Sequence, residues 1–170
     1  MTKFTEICLV LGSNLGDRKQ NIETAIAKLT KQLQLKDVKK SDYLENPALL
    51  KPDSPPQWNK DYLNVAIKGQ VDLENFSTNK ILQIIHYIEE GLGRKRSGKN
   101  WQPREIDIDI ACLSDHIIDD EQLTIPHQDL LNRDFFLKPM SQVIPNWQYP
   151  IADQYFGLTI AEIIKKRFSD

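Results

Sequence analysis

An α+β fold is expected for this chain of 170 residues, on three observations. Short strand-like runs recur at 7–11, 62–67 and 106–110. Two stretches, near 17–34 and 78–92, carry apolar residues at helical spacing. The resulting order is strand, helix, strand, strand, helix, strand. This is the split βαβ order of ferredoxin-like folds, with an antiparallel sheet and helices on one face. Periodicity after residue 132 adds extra C-terminal helices, and residues 1–170 are expected to form one domain.

Each element has its own signal. Ile7-Cys8-Leu9-Val10-Leu11 is a buried strand ended by Gly12-Ser13-Asn14. Ile22, Ala25, Ile26, Leu29 and Leu33 form one helical stripe; Asn14 or Gly16 lies near its start, and Asp17 suits its positive end. Lys36 to Leu44 reads as a second, weaker strand. Residues 45–60 hold Pro47, Pro52, Pro55 and Pro56 and read as a long loop. Tyr62 to Ile67 alternates, with Leu63, Val65 and Ile67 on one face and Tyr62 and Asn64 on the other. Ser77 or Thr78 caps a helix carrying Ile81, Ile84, Ile85, Ile88 and Leu92, and Gly91 and Gly93 end it. Ile117-Ile118 suggests a short strand. Thr124 to His127 leads into a helix, Asn132 to Val143 into another, and Leu158 to Phe168 into a third.

The bulk properties exclude several classes. With 40% hydrophobic and 27% charged residues the composition is that of a globular protein. A net charge of −2 disfavours nucleic-acid binding by bulk charge. Cys8 and Cys112 sit in apolar runs, without disulfide or zinc spacing, and read as buried reduced thiols. Nothing resembles a signal segment or a membrane span, so a cytoplasmic protein with no membrane partner is expected.

The chemistry is concentrated in residues 93–110. From Gly93 to Arg104 there are five cations and no acid. From Glu105 to Ile110 carboxylates and isoleucines alternate. In a strand this puts Asp107 and Asp109 on one face and Ile106, Ile108 and Ile110 on the other, in a core. Two like charges side by side repel, and a divalent cation removes the repulsion. A basic loop feeding such a strand suits a polyphosphate. The bland alternatives are a half-solvated strand and a solvated basic loop. The Trp101 and Pro103 between them favour the functional reading. The sheet face opposite the helices is expected to be free for ligands, with Tyr62, Asn64, Asp107 and Asp109 on it.

These residues carry a resemblance. Leu11 to Arg18, Asp61-Tyr62-Leu63-Asn64, Trp101 to Ile110, Pro126-His127 and Asn132-Arg133-Asp134-Phe135 are similar, in order and spacing, to the motifs of the 6-hydroxymethyl-7,8-dihydropterin pyrophosphokinase family. The resemblance implies a ferredoxin-like fold and transfer of pyrophosphate from ATP to the pterin hydroxymethyl group, giving AMP, in folate biosynthesis. It implies ATP as co-substrate and two magnesium ions held by Asp107 and Asp109. It gives catalytic roles to Arg94, Arg104, Asp107 and Asp109. It places Leu82, His86, Glu89, Arg96, Trp101, Ile110, Thr124, His127 and Arg133 at ATP, and Asn46, Pro47, Leu49, Tyr62, Asn64, Trp101 and Phe135 at the pterin. Tyr62 and Phe135 would sandwich the ring, Asn64 would read its edge, and Trp101 would close over it. The family is often monomeric.

Five positions depart from the family pattern: Gln102 for Gly, His86 for Gln, Gln128 for an aromatic, and Ile106 and Ile108 for Leu, the last two neutral in a core. None removes a proposed metal ligand or a phosphate-binding arginine. Three other readings fit the residues less well. An RNA-binding module of this fold needs an aromatic sheet face and an RNP-type motif, which is missing. A catalytically dead binder sits poorly with the intact aspartates and arginines. A metal-dependent phosphodiesterase would use more metal ligands.

Overall fold

In the computed structural model, which describes residues 4–94 and 103–168, the first apolar run is a central strand, β1 (Phe4–Ser13). It is buried from Ile7 onward because it has a strand on both sides and helices across its face. Helix α1 (Arg18–Gln32) follows. Asp17 is its N-cap, accepting the Gln20 N–H at 3.1 Å, and Ile22, Ala25 and Leu29 are buried. The weak strand after it is two short pieces, β2 (Lys36–Lys40) and β3 (Leu44–Asn46). Both pair antiparallel with β4 (Tyr62–Asp72). The proline-rich stretch is therefore not all loop: its first residues are β3, and Pro56–Trp58 form a 3-10 turn.

Helix α2 (Thr78–Gly91) starts at Ser77, whose hydroxyl accepts the Lys80 N–H at 3.2 Å. It ends before Gly93, where φ of +101° favours glycine. Strand β5 (Asp107–Leu113) then pairs antiparallel with β1. The sheet order β2-β4-β1-β5 is the ferredoxin-like arrangement, with each strand added by a helical crossover separated from its parallel mate by an antiparallel neighbour. The segment from Thr124 forms no α-helix. It closes a small hairpin, β6 (Ile118–Asp119) with β7 (Thr124–Ile125), and then makes a 3-10 turn at Leu130–Asn132. Helices α3 (Asp134–Val143) and α4 (Ile160–Phe168) complete the chain.

Two cores lie on the two sides of the sheet. Leu9, Leu11, Ile67, Ile108 and Ile110 pack against Ile22, Leu29, Ile81, Ile85 and Ile88 of α1 and α2. On the other side Cys8, Val10, Ala66 and Cys112 pack against Phe136, Leu137, Met140 and Ile163 of α3 and α4. The face expected to lie free is thus half covered by the C-terminal helices. The open half, at the Gly12 end of β1, is where the carboxylates lie. Cys8 and Cys112 are free and buried, and burial pushes the Cys112 thiol far up. No helix among the described residues is long and apolar enough to cross a membrane.

Candidate active site

Three strands converge at Gly12, whose partners are Asn64 on β4 and Asp107 on β5. Directly opposed residues share a sheet face, so all three point to the same side. Asp109 stands opposite Val10 on that face. A cleft of about 570 Å³ opens over them. It is walled by α2, the β6–β7 hairpin and the segment running from His127 into α3.

A β-bulge arranges the far wall. Cys8 pairs with Cys112 but Leu9 pairs with Ile110, so Ala111 is an extra residue in β5. The Ala111 carbonyl accepts the backbone N–H of His127 at 2.9 Å. That bond hangs His127 beside the carboxylates, with Nε2 3.5 Å from Asp109 Oδ1. The Asp129 N–H donates to His127 Nδ1 at 3.1 Å. The neutral ring therefore keeps its proton on Nε2, facing Asp109. Phe136 stacks on the ring at 4.7 Å and holds its plane.

The near wall is a network of opposite charges. Arg94 Nη1 donates to Asp107 Oδ1 at 2.9 Å and to Glu89 Oε2. Arg104 Nη1 is 3.4 Å from the same Asp107 oxygen. Glu89, only 2% exposed, also accepts the Ile108 N–H at 2.9 Å, so it is not the exposed helix acid that a plain amphipathic helix would carry. Burial, and then the neighbouring Asp109 charge, raise the Asp107 carboxyl above the usual aspartate range despite both arginines.

That residual repulsion fits a cation. The two aspartate side chains are 27% and 29% exposed and face the cleft. Among the described residues no group of three or more His, Cys, Asp or Glu side chains is placed to hold a metal. Magnesium takes one or two carboxylates and completes its shell with water and phosphate oxygens. The pair therefore suits an ion that arrives with a nucleotide.

The other end of the cleft is aromatic and amide. Tyr62, Asn64, Asn46, Leu49 and Phe135 line it. Asn64 is 4% exposed and its Nδ2 donates to Asn46 Oδ1. Asn46 Nδ2 donates in turn to the Pro47 carbonyl at 3.0 Å. Pro47 itself does not line the cleft. Burial, then the Asp107 charge, raises the Tyr62 hydroxyl, which therefore stays protonated. Phe135 leans on Phe136 at 5.4 Å, and the Arg133 guanidinium lies 5.5 Å from its ring while pairing with Asp129 at 3.0 Å.

The Leu11–Arg18 signature serves mostly as scaffold. Buried Asn14 accepts the Arg104 N–H at 2.8 Å, donates its own N–H to the Arg104 carbonyl at 3.1 Å, and donates Nδ2 to the Lys60 carbonyl at 3.1 Å. Arg18 donates to the Asp61 carbonyl at 3.1 Å and pairs with Glu45 at 2.7 Å. Asn14 thus ties the end of β1 to the segments that carry Arg104 and Tyr62, and Arg18 ties the start of α1 to the latter and to β3.

Of the residues singled out in the sequence, Arg94, Arg104, Asp107, Asp109, Leu82, His86, Glu89, Ile110, Thr124, His127 and Arg133 line the cleft with the aromatic and amide group. Arg96 and Trp101 lie outside the described residues, as does Gln102. Sequence reasoning missed Gly12, Val10, Phe136 and the hairpin residues Asp120 to Leu123, which also line it. Gly12 had a signal, being the one residue without a side chain in a buried strand run. The hairpin had none, since two-residue strands are too short to show a period.

Residues 8–145 match the family described as 7,8-dihydro-6-hydroxymethylpterin-pyrophosphokinase. The chain is 36% identical to the Aquifex aeolicus 2-amino-4-hydroxy-6-hydroxymethyldihydropteridine pyrophosphokinase, over 85% of this chain and 84% of that one. It is 32% identical to the Synechocystis protein of the same name, over 97% of this chain and 80% of the other. It is also 37% identical to a folate synthesis bifunctional protein of Chlamydia caviae, over 85% of this chain and 32% of that one. The chain spans about a third of the length of this and similar chlamydial relatives. Among solved structures, a Plasmodium falciparum HPPK-DHPS superposes with a TM-score of 0.66 at 15% identity, over 98% of this chain and 45% of that one. That likeness supports the fold. The motifs, their convergence on one cleft and the match over residues 8–145 lead to one conclusion: the chain belongs to the 7,8-dihydro-6-hydroxymethylpterin-pyrophosphokinase family.

Proposed function

We propose that this chain transfers the β,γ-pyrophosphoryl group of ATP to the hydroxymethyl oxygen of 6-hydroxymethyl-7,8-dihydropterin, releasing AMP, as a step of folate biosynthesis. The observation that carries the reading is the Asp107–Asp109 pair. It lies in one cleft with Arg94 and Arg104 at Asp107, His127 at Asp109, and Tyr62, Asn64 and Phe135 in the same lining.

The two ends of the cleft suit the two substrates. Leu82, His86, Glu89, Ile110, Thr124, His127 and Arg133 would form the nucleotide side, and Arg96, outside the described residues, would join them. Guanidinium forks match phosphate oxygens, and Arg94 and Arg104 already stand at the carboxylates where the triphosphate would lie. Tyr62 and Phe135 offer ring faces to a flat heterocycle, and the Asn64 and Asn46 amides offer donors and acceptors to its edge. Leu49 lines that end, Pro47 holds the Asn46 amide through its carbonyl, and Trp101, outside the described residues, would close over the ring.

In the transfer the hydroxymethyl oxygen forms a bond to the β-phosphorus. The bond from the β-phosphorus to the oxygen bridging the α-phosphorus breaks, and AMP leaves with that oxygen. Asp107, across Gly12 from Asn64, is the carboxylate on the pterin side and takes the hydroxyl proton. Arg104 holds the group in transfer and Arg94 the adjoining phosphate, so catalysis is mainly alignment and charge stabilisation. Asp107 and Asp109 would hold two magnesium ions with the phosphates, and these would neutralise charge on the transferred and leaving groups. Unpaired buried cysteines fit a reducing cytoplasm. A monomer is proposed, as is common in the family.

The test is product analysis. Protein, ATP, magnesium and the reduced pterin should yield AMP and a pterin diphosphate. Formation of ADP or orthophosphate instead would overturn the reading.

A further inference from the structure

We propose that Gly12 is a positioning residue: the missing side chain lets the Asn64 amide lie across β1 at the height where it meets the edge of a flat heterocyclic substrate. The inference rests on the reading that the Asn64 end of the cleft takes the reduced pterin.

The backbone does not demand glycine at this position. The left-handed glycines are Gly16, Gly93 and Gly157, so Gly12 has a strand conformation open to any residue. A glycine inside a central strand weakens it, so its presence there needs another reason. That reason is space. A Cβ on Gly12 would come 2.7 Å from Asn64 Oδ1 and 3.3 Å from Tyr62 Cδ1. The first distance is far inside van der Waals contact.

Both neighbours belong to the pterin end. The amide does not yield freely: Asn64 is 4% exposed and its Nδ2 is tied to Asn46. A methyl group would lift the carboxamide off the sheet, break the Asn46 tie and press on the Tyr62 ring. Asp107 is on the opposite strand, and the three atoms nearest to the added carbon all belong to Asn64 and Tyr62. The effect should therefore fall on the heterocycle and spare the nucleotide.

Gly12→Ala, Asn64→Ala and the double variant are compared by calorimetry and steady-state kinetics. A non-hydrolysable ATP analogue with magnesium is bound first, and the reduced pterin is titrated in. Gly12→Ala should raise the pterin KM and Kd by about tenfold. Its affinity for the ATP analogue should stay within about twofold of wild type. The double variant should bind pterin no more weakly than Asn64→Ala, because the two changes remove one arrangement. If Gly12→Ala alone does not fold, the double variant, which lacks the clashing amide, should fold and match Asn64→Ala. Wild-type pterin affinity in Gly12→Ala would overturn the inference. So would a further tenfold loss in the double variant, or a double variant that does not fold. Wild-type protein that binds no pterin at all would instead sink the substrate reading beneath it.

Discussion

The carboxylate of Glu89 on α2 accepts the backbone N–H of Ile108 on β5 at 2.9 Å, between the two cleft aspartates. β5 is an edge strand, and this N–H points away from β1. A buried helix acid thus replaces the missing neighbour strand, and the same oxygen takes Arg94.

Glu89→Ala should therefore cost stability out of proportion to its size. It leaves a buried N–H and a largely buried guanidinium without this acceptor, worth about 3 kcal/mol. Glu89→Gln keeps an acceptor for Ile108 and should lose less. Urea unfolding of both variants checks this, and wild-type stability in Glu89→Ala would contradict the role.

Asp107→Asn and Asp109→Ala should each abolish turnover while leaving the fold intact. The linkage sign follows from the raised Asp107 carboxyl. Ionising it costs the folded state more than the unfolded one. Wild-type stability should then fall, relative to Asp107→Asn, as pH rises from the ordinary aspartate value through the raised one. The variant should be no more stable at about pH 3 and more stable at about pH 7. Urea titrations at the two pH values, without magnesium or nucleotide, measure the difference. An Asn variant less stable at the higher pH would show that the arginines dominate.

Arg104→Ala should lower kcat by about two orders of magnitude or more with a small change in ATP affinity. Its long 3.4 Å contact with Asp107 leaves the guanidinium available to a substrate group. A change confined to ATP affinity would make Arg104 a binding residue.

Binding of an ATP analogue and pterin together should change the tryptophan emission through Trp101. The same titration with Trp101→Phe should lose that signal, although Trp58 and Trp147 remain. An undiminished signal in the variant would end the closing role of Trp101.

Much of this site could be read along the chain because its logic is local. The alternation of Asp107, Ile108, Asp109 and Ile110 is a property of one strand, and side chains two apart must share a face whatever surrounds them. The helical stripes of α1 and α2 are local in the same sense, and so is the Ser77 cap. The split βαβ order then left few ways to arrange the strands. The Ala111 bulge, the contact of His127 with Asp109, the burial of Glu89 and the roof of α3 and α4 over half the open face carried no such mark. Each depends on pairing register or on packing between residues far apart in sequence, and periodicity along one segment does not record which distant segment comes to lie against it.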